Sequence, residues 1–272
     1  KDFVTWKINW EDKALNIKKI IKELNLTESN VLFLDDNVRE RQRVKKSLKD
    51  INVPELPSDP CNFSKHLSEL GCFNLSTSVT SEDKKRIKFY KDNFERKKNR
   101  DNFLSEEKWL KSLQTKIIFR EIDQNNIERI IQLLSRVNQM NLTTRRISYK
   151  DLEKLRKSKN NHMLCCALKD RYGEMGIIGF FNLELKKNKG LVKDLLLSCR
   201  AFGRGVEKSI IVKIIQILSV KNIQHLELRY VKTNKNKPCF DFLKQNFYQV
   251  KKNIFQLKNF KNFKLPNYIS VN

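Results

Sequence analysis

The sequence predicts an α/β protein in two parts, a partial parallel sheet followed by a mixed α/β domain, and three observations carry that prediction. Near the start, an amphipathic helix leads into the short apolar run Val31-Leu-Phe-Leu34, which stops at carboxylates, as buried parallel strands do at their ligand-binding edge. From residue 116 onward the patterns run strand, two helices, three antiparallel strands, helix, strand, helix, strand. Where the last of the three antiparallel strands meets the next helix lies a polar turn with two glycines, Ser198-Cys-Arg-Ala-Phe-Gly-Arg-Gly205. Such a turn lets the backbone come close to a ligand and aims the free N–H groups of a helix start at it.

The 272 residues suit two domains, and 39% hydrophobic content is enough for packed cores. Lys and Arg number 56 against 31 Asp and Glu, a formal charge of +25. The basic residues are mostly Lys, scattered among Asn and Ile, so the charge reads as general composition and not as a specific nucleic-acid groove. Six cysteines without a C-x-x-C pair argue against zinc and against a disulfide framework, and fit a reducing cytoplasm. No apolar run approaches the length of a membrane span, and none has the layout of a signal peptide.

In chain order, Ile17, Ile20, Ile21 and Leu24 place one apolar stripe on a helix over Asn16–Leu26, followed by the strand Val31–Leu34. Asp35-Asp36-Asn37 then either carry a hard cation or cap the helix that begins near Val38. Thr80-Ser-Glu-Asp83 marks a helix start, and that helix continues to about Arg100 with Ile87, Tyr90 and Phe94 on one stripe. Its Arg96-Lys-Lys-Asn-Arg100 run reads as a solvated face or a basic recognition patch. Ser105–Leu113 is a short capped helix. We therefore divide the chain into residues 1–80, a helical linker over 81–113, and a second domain over 114–272.

In that second domain Lys116–Arg120 is a strand, and Asn126–Arg136 and Tyr149–Lys157 are helices. Between the helices, Val137-Asn-Gln-Met-Asn-Leu-Thr-Thr-Arg-Arg146 is polar and hydroxyl-rich, making Asn138, Asn141, Thr143, Thr144 and Arg145 candidate substrate contacts. Strands follow at His162–Leu168, Gly176–Leu183 and Leu191–Ser198, then the helix Val206–Leu218, the strand Ile223–Val231, a helix over Pro238–Gln245 and an extended Phe247–Leu257. In the glycine turn, Arg200, Gly203, Arg204 and Gly205 are the candidate binders of a pyrophosphate, and Asn236 starts the last helix, where resemblance to GNAT-type acyltransferases implies a cofactor contact. Cys199 is a nucleophile candidate or a packed strand-end thiol. Asp194 and Glu207 flank the turn as bases or as braces.

The spacing Arg200-x-x-Gly203-x-Gly205 resembles the coenzyme A loop of GNAT-type acyltransferases, and the order of elements around it is that of a GNAT fold. Three stretches resemble FkbH-like proteins: Trp10-Glu-Asp-Lys13 with Leu34-Asp-Asp-Asn37, Asn138-Gln-Met-Asn-Leu-Thr-Thr-Arg-Arg146, and Ser198-Cys-Arg-Ala-Phe-Gly-Arg-Gly205. That resemblance, from Phe3 to about Tyr248, implies the later part of a HAD-like (Rossmannoid) domain of subfamily IIIC fused to a GNAT-like domain. It implies that Lys13 acts with Asp35 and Asp36, which would hold Mg2+, and that the nucleophilic aspartate lies upstream of Lys1. It further implies transfer of a glyceryl-type unit from a phosphorylated small-molecule donor to the thiol of an acyl carrier protein, with coenzyme A or a phosphopantetheine arm at the glycine turn. Two rival readings are a GNAT N-acetyltransferase using acetyl-CoA and a non-catalytic module that only binds the carrier. Val38 stands where that family usually has Pro, and no acid tyrosine is evident on the last helix, which carries Phe240 and Phe242.

Overall fold

A computed structural model describes residues 3–24, 26–71, 86–257 and 259–272. It divides into two units, Lys1–Lys91 and Asp92–Asn272. The expected boundary near residue 80 and the helix start Thr80–Asp83 lie outside the described residues.

In the first unit the apolar stripe winds α1 (Lys13–Leu24), and α2 (Val38–Ser47) starts where the Asn37 side chain accepts from the Arg39 N–H at 2.9 Å. Ala14, Ile17, Val44, Leu48, Ile51 and Val53 form a small core, against which Val31 and Phe33 pack. The expected parallel sheet is reduced, among the described residues, to one bridge, Leu32 with Asn52. Asn52 donates to the Val31 carbonyl and accepts from the Phe33 N–H, and the next donor in a parallel ladder would be residue 54. That residue is Pro54, which has no N–H to give. A short α3 (Phe63–Glu69) follows.

The next helices are α4 (Arg86–Arg100) and α5 (Glu106–Ser112), the latter N-capped by Ser105. Within 96–113, Lys98, Arg100 and residues 104–108 are exposed, but other side chains are buried. Arg96 is 3% exposed, and Trp109, Leu110 and Leu113 are buried with Tyr172 and Tyr268 packed against them.

The second unit is a mixed sheet flanked by helices. Its strands are β1 (Thr115–Glu121), β2 (Met140–Asn141), β3 (Asn161–Asp170), β4 (Gly173–Lys186), β5 (Lys189–Leu197), β6 (His225–Arg229), β7 (Tyr248–Lys251), β8 (Ile254–Leu257) and β9 (Ile269–Val271). They run in space β7-β8-β6-β5-β4-β3-β1-β9, with β2 paired to β5. Helices α6 (Ile127–Arg136) and α7 (Tyr149–Lys157) lie between β1 and β3 in sequence, α8 (Val206–Val220) between β5 and β6, and α9 (Lys237–Asn246) between β6 and β7. This is the element order of a GNAT-like mixed α/β domain. The extended Phe247–Leu257 is in fact a hairpin of two antiparallel strands, and β9, parallel to β1, is an addition that the sequence pattern did not announce.

Strand alternation separates two cores. Phe181, Leu183, Leu195 and Leu197 face α8, whose Ile210, Ile211, Ile214 and Leu218 are fully buried. Phe180, Leu196 and Cys165 face α6 and α7. Strands β5 and β6 pair in parallel from Lys189/His225 to Val192/Leu228, and β5 beyond Val192 pairs instead with the segment 140–142. No helix among the described residues is long and apolar enough to cross a membrane.

Candidate functional site

Strand β5 ends in the glycine turn, anchored by the Ser198 N–H to the Ile178 carbonyl at 2.7 Å. Gly203 (φ 78°) and Gly205 (φ 79°) both take left-handed backbone, which explains the two glycines. Their surroundings differ. A Cβ on Gly203 would meet nothing within 4 Å, whereas one on Gly205 would lie 2.8 Å from the Tyr268 hydroxyl, 3.1 Å from Pro266 and 3.2 Å from Ile269. The face of Gly205 expected to meet a phosphate is therefore covered by the chain's own C-terminal segment, and the approachable part of the turn is at Gly203. Cys199 is exposed, and Arg200 is half-buried with its Nε 3.5 Å from Ser198 Oγ.

Arg204 corrects the sequence reading. Its guanidinium is not offered to a ligand but turned inward, 2.7 Å from Asp170 Oδ2 and 3.2 Å from Thr115 Oγ1. Asp170 also receives Arg96 through Nε at 2.6 Å and Nη2 at 3.0 Å. Burial would raise the Asp170 pKa, but the hydrogen bonds and charges of Arg96 and Arg204 outweigh it and hold the carboxyl below its ordinary range. This network ties α4 and the end of β3 to the turn. At 7% side-chain exposure, Arg204 braces the turn from beneath. Glu207, in the first turn of α8, is 8% exposed, and its Oε2 has no partner.

The loop 137–146 enters the fork between β5 and β6. Met140 and Asn141 pair with Leu197 and Leu196, the Leu142 N–H donates to the Leu195 carbonyl at 3.0 Å, and the Leu142 carbonyl accepts from the Val231 N–H at 2.8 Å. Asn141, taken from sequence as a substrate contact, instead folds the loop. Its Nδ2 donates to the Val137 carbonyl at 3.0 Å and its Oδ1 accepts from the Thr144 N–H at 2.9 Å, supporting Thr144 at φ 51°. Asn236, expected near the cofactor, is fully buried. Its Nδ2 donates to the carbonyls of Asn141 (3.1 Å) and Val231 (2.8 Å), and its Oδ1 accepts from the Tyr230 hydroxyl and the Thr233 N–H. Both asparagines are spoken for by backbone, because a buried irregular segment must have its polar groups satisfied.

Two other members of the set converge on a residue of β5. Thr143 Oγ1 donates to Asp194 Oδ1 at 3.3 Å, and Arg145 grips the same carboxylate through Nε at 3.1 Å and Nη2 at 2.5 Å. Asn182, opposite Asp194 on β4, adds its Nδ2 at 3.1 Å. With four donors on its two oxygens, Asp194 braces the loop against β4 and β5. Arg145 keeps 45% of its side chain exposed. Asn138 is half-buried and joins neither set. Asn182 and Asp170 were missed from sequence; the signal for Asn182 was a lone amide inside the apolar Phe180-Phe-Asn-Leu183, while Asp170 looked like an ordinary turn residue.

In the first unit the expected partners do meet. Lys13 Nζ lies 2.5 Å from Asp35 Oδ2, and the Asn37 N–H donates to Asp35 Oδ1 at 2.9 Å. Burial tends to raise the Asp35 pKa, and Lys13 and Asn37 bring it below the ordinary value. Asp36 is exposed. No group of three ligating side chains occurs among the described residues, and Asp35 is already neutralised by Lys13, so the residues present do not make a Mg2+ site by themselves.

No protein-family model matches the sequence, and no curated protein matches it. Among solved structures, a domain from Methanocaldococcus jannaschii is similar at 14% identity and TM-score 0.43, covering 53% of this chain and 99% of that one. A PaiA N-acetyltransferase from Thermoplasma acidophilum, in complex with coenzyme A, is similar at 16% identity and TM-score 0.39, with the same coverages. The N-terminal part of a Bacteroides fragilis protein, containing a phosphatase domain complexed with Mg, is 41% identical over 26% of this chain and 19% of that one, at TM-score 0.25.

Proposed function

We propose that the second unit holds the phosphate of a thioester carrier arm, coenzyme A or phosphopantetheine, at the turn Arg200–Gly203, and that it serves acyl transfer. The observation that carries this reading is the open space over Gly203, at a left-handed turn feeding the N-terminus of a 15-residue helix, with Arg200 beside it. From that anchor, length decides where chemistry falls. A pantetheine arm of a dozen or so bonds spans about 15 Å, and four residues of strand from Ser198 back to Asp194 span about 13 Å. The reacting end therefore belongs near Thr143 and Arg145. Cys199, next to the phosphate anchor, is too close to it to attack the thioester of the same arm.

The resemblance to FkbH-like proteins is why we read a glyceryl-type unit passing from a phosphorylated donor to an acyl carrier protein, and Thr143, Asn138 and the exposed part of Arg145 are compatible with a small hydroxylated acyl group. The formal charge of +25 favours an acidic carrier. Lys13, Asp35 and Asp36 belong to the phosphate side of that reading, and a Mg2+ ion there needs ligands beyond these. Free cysteines at all five described positions suit a reducing cytoplasm. The other reading, a non-catalytic carrier-binding module, is favoured by the saturated Asp194 and by the occupied fork. Both observations weigh against ordinary acetyl transfer, since Asp194 is already held by four donors and residues 140–142 fill the fork.

Calorimetry with coenzyme A and with a phosphopantetheinylated carrier tests the anchor. Gly203→Asp sets a carboxylate in the open space, at a backbone angle Asp tolerates, and is expected to weaken both ligands about tenfold or more. Arg145→Ala is expected to leave affinity unchanged and to lower acyl transfer. Equal affinity in wild type and Gly203→Asp makes the turn a structural one.

A further inference from the structure

At the end of β5 remote from the glycine turn, the β4–β5 hairpin and the start of β6 border an open groove of about 740 Å³. Cross-strand register sets Lys186 opposite Lys189 and Lys189 opposite His225, so two ammonium groups and an imidazole stand in a row across three strands. Like charges placed directly opposite one another repel. Lys187, in the hairpin turn itself, takes left-handed backbone at φ 48°, where glycine or asparagine is the usual residue. It is exposed and has no hydrogen bond or ion pair among the described residues. The carboxylates nearby are already held. Glu227 accepts from Lys189 at 2.9 Å on one oxygen and from the Gln256 amide at 2.9 Å on the other. Glu184 lies between Lys193 at 2.7 Å and Lys186 at 3.1 Å. A cation entering the groove therefore meets no open carboxylate, whereas an anion meets the Lys187 ammonium, the remaining N–H groups of Lys186 and Lys189, and the His225 ring.

We infer that this groove is a second anion site and that its ligand is a phosphorylated small molecule of up to nucleotide size. A multiply charged phosphate answers several ammonium donors at once, where a single carboxylate would leave most of them unmet. The volume lies within the roughly 300–1,000 Å³ of small-molecule sites. Strand β5, nine residues long, spans about 26 Å between the groove and the glycine turn. That is beyond the reach of a pantetheine arm anchored at Gly203, so the groove takes a different ligand and stands apart from the coenzyme reading. The left-handed lysine fits the same role, because a turn selected for its backbone alone would be served better by glycine.

Inorganic pyrophosphate and ATP, titrated into the whole chain at physiological salt while the amide resonances of Lys187, Asn188, Lys189 and His225 are followed, test the site. Those resonances are expected to shift saturably in the wild type and equally in Gly203→Asp, which separates the groove from the glycine turn. Lys187→Gly suits the left-handed backbone, so it is expected to hold or raise Tm while weakening pyrophosphate about tenfold. His225→Gln is expected to weaken it less. Lys150→Gln, on α7 and outside the groove, removes the same charge and is expected to leave the affinity unchanged. Tighter binding of ATP than of pyrophosphate supports a nucleotide, and equal binding supports a smaller phosphorylated molecule. Unmoved resonances in the wild type, their loss in Gly203→Asp, or equal affinity in Lys187→Gly and wild type overturn the proposal. An equal loss in Lys150→Gln and Lys187→Gly overturns it as well, since the attraction then belongs to the overall charge of +25.

Discussion

Two carboxylates, one in each unit, are held in different ways. In the first unit, Asp35, 8% exposed, meets Lys13, whose side chain is 48% exposed, so water and a ligand can reach the cation. In the second, Asp170 is 0% exposed and is gripped by Arg96 and Arg204, whose side chains are 4% and 7% exposed. The contrast separates two jobs for the same chemistry. An exposed pair adds little to stability and is free to serve a ligand, whereas a buried one fixes the backbone that carries a site.

The largest expected effect breaks the buried side of this contrast. Asp170→Ala leaves Arg96 and Arg204 facing each other without a counter-charge, and urea denaturation of the variant should show a loss of about 3–5 kcal/mol. Retention of wild-type stability would mean that the two guanidinium groups find other partners. Next comes Asn236→Ala, which strips bonds from the Asn141 and Val231 carbonyls and from the Tyr230 hydroxyl. A cost of about 1–3 kcal/mol is expected, with faster amide exchange in the 140–146 loop that it ties down.

A smaller pair of changes sharpens the difference between the two glycines. Gly205→Ala meets Tyr268 and Pro266 as well as an unfavourable backbone angle, and should lower Tm clearly. Gly203→Ala meets only the angle, at about 1 kcal/mol. The smallest effect is expected for Lys13→Ala, under about 1 kcal/mol, because the Lys13 side chain is 48% exposed. The pH dependence follows with a defined sign. Asp35 and Asp170 both have depressed values, so the stability they contribute is present above the unfolded value of 3.8 and lost as pH falls through the folded one. Acid titration of Lys13→Ala should flatten the smaller of these two losses, and of Arg96→Met the larger. The reverse ranking would place the buried network in the first unit's role.

By itself the sequence determined most elements of the second unit, with β2, the β7–β8 hairpin and β9 excepted. The helical stripe of α8 and the alternation of β3, β4 and β5 are set by local spacing, and a turn with Gly203 and Gly205 between strand and helix follows from the backbone angles only glycine takes easily. The meeting of Lys13 and Asp35 was legible only through the family resemblance of their two stretches. What tertiary structure decided is where each polar side chain is committed. Arg200 and Arg204 look alike in sequence, yet one stays near the surface and the other is drawn beneath the turn by Asp170, 34 residues away in the chain. Asn141 and Asn236 look like ligand contacts until the folded chain commits them, the Asn236 side chain donating to the Asn141 carbonyl 95 residues away and the Asn141 side chain folding its own loop. The first unit shows the same limit from the other side, because a run that reads as a parallel strand found a neighbour with proline where the ladder needed a donor. Local pattern specifies an element, but the partner of a hydrogen bond or a charge is a property of the folded chain, since burial alone makes that partner obligatory.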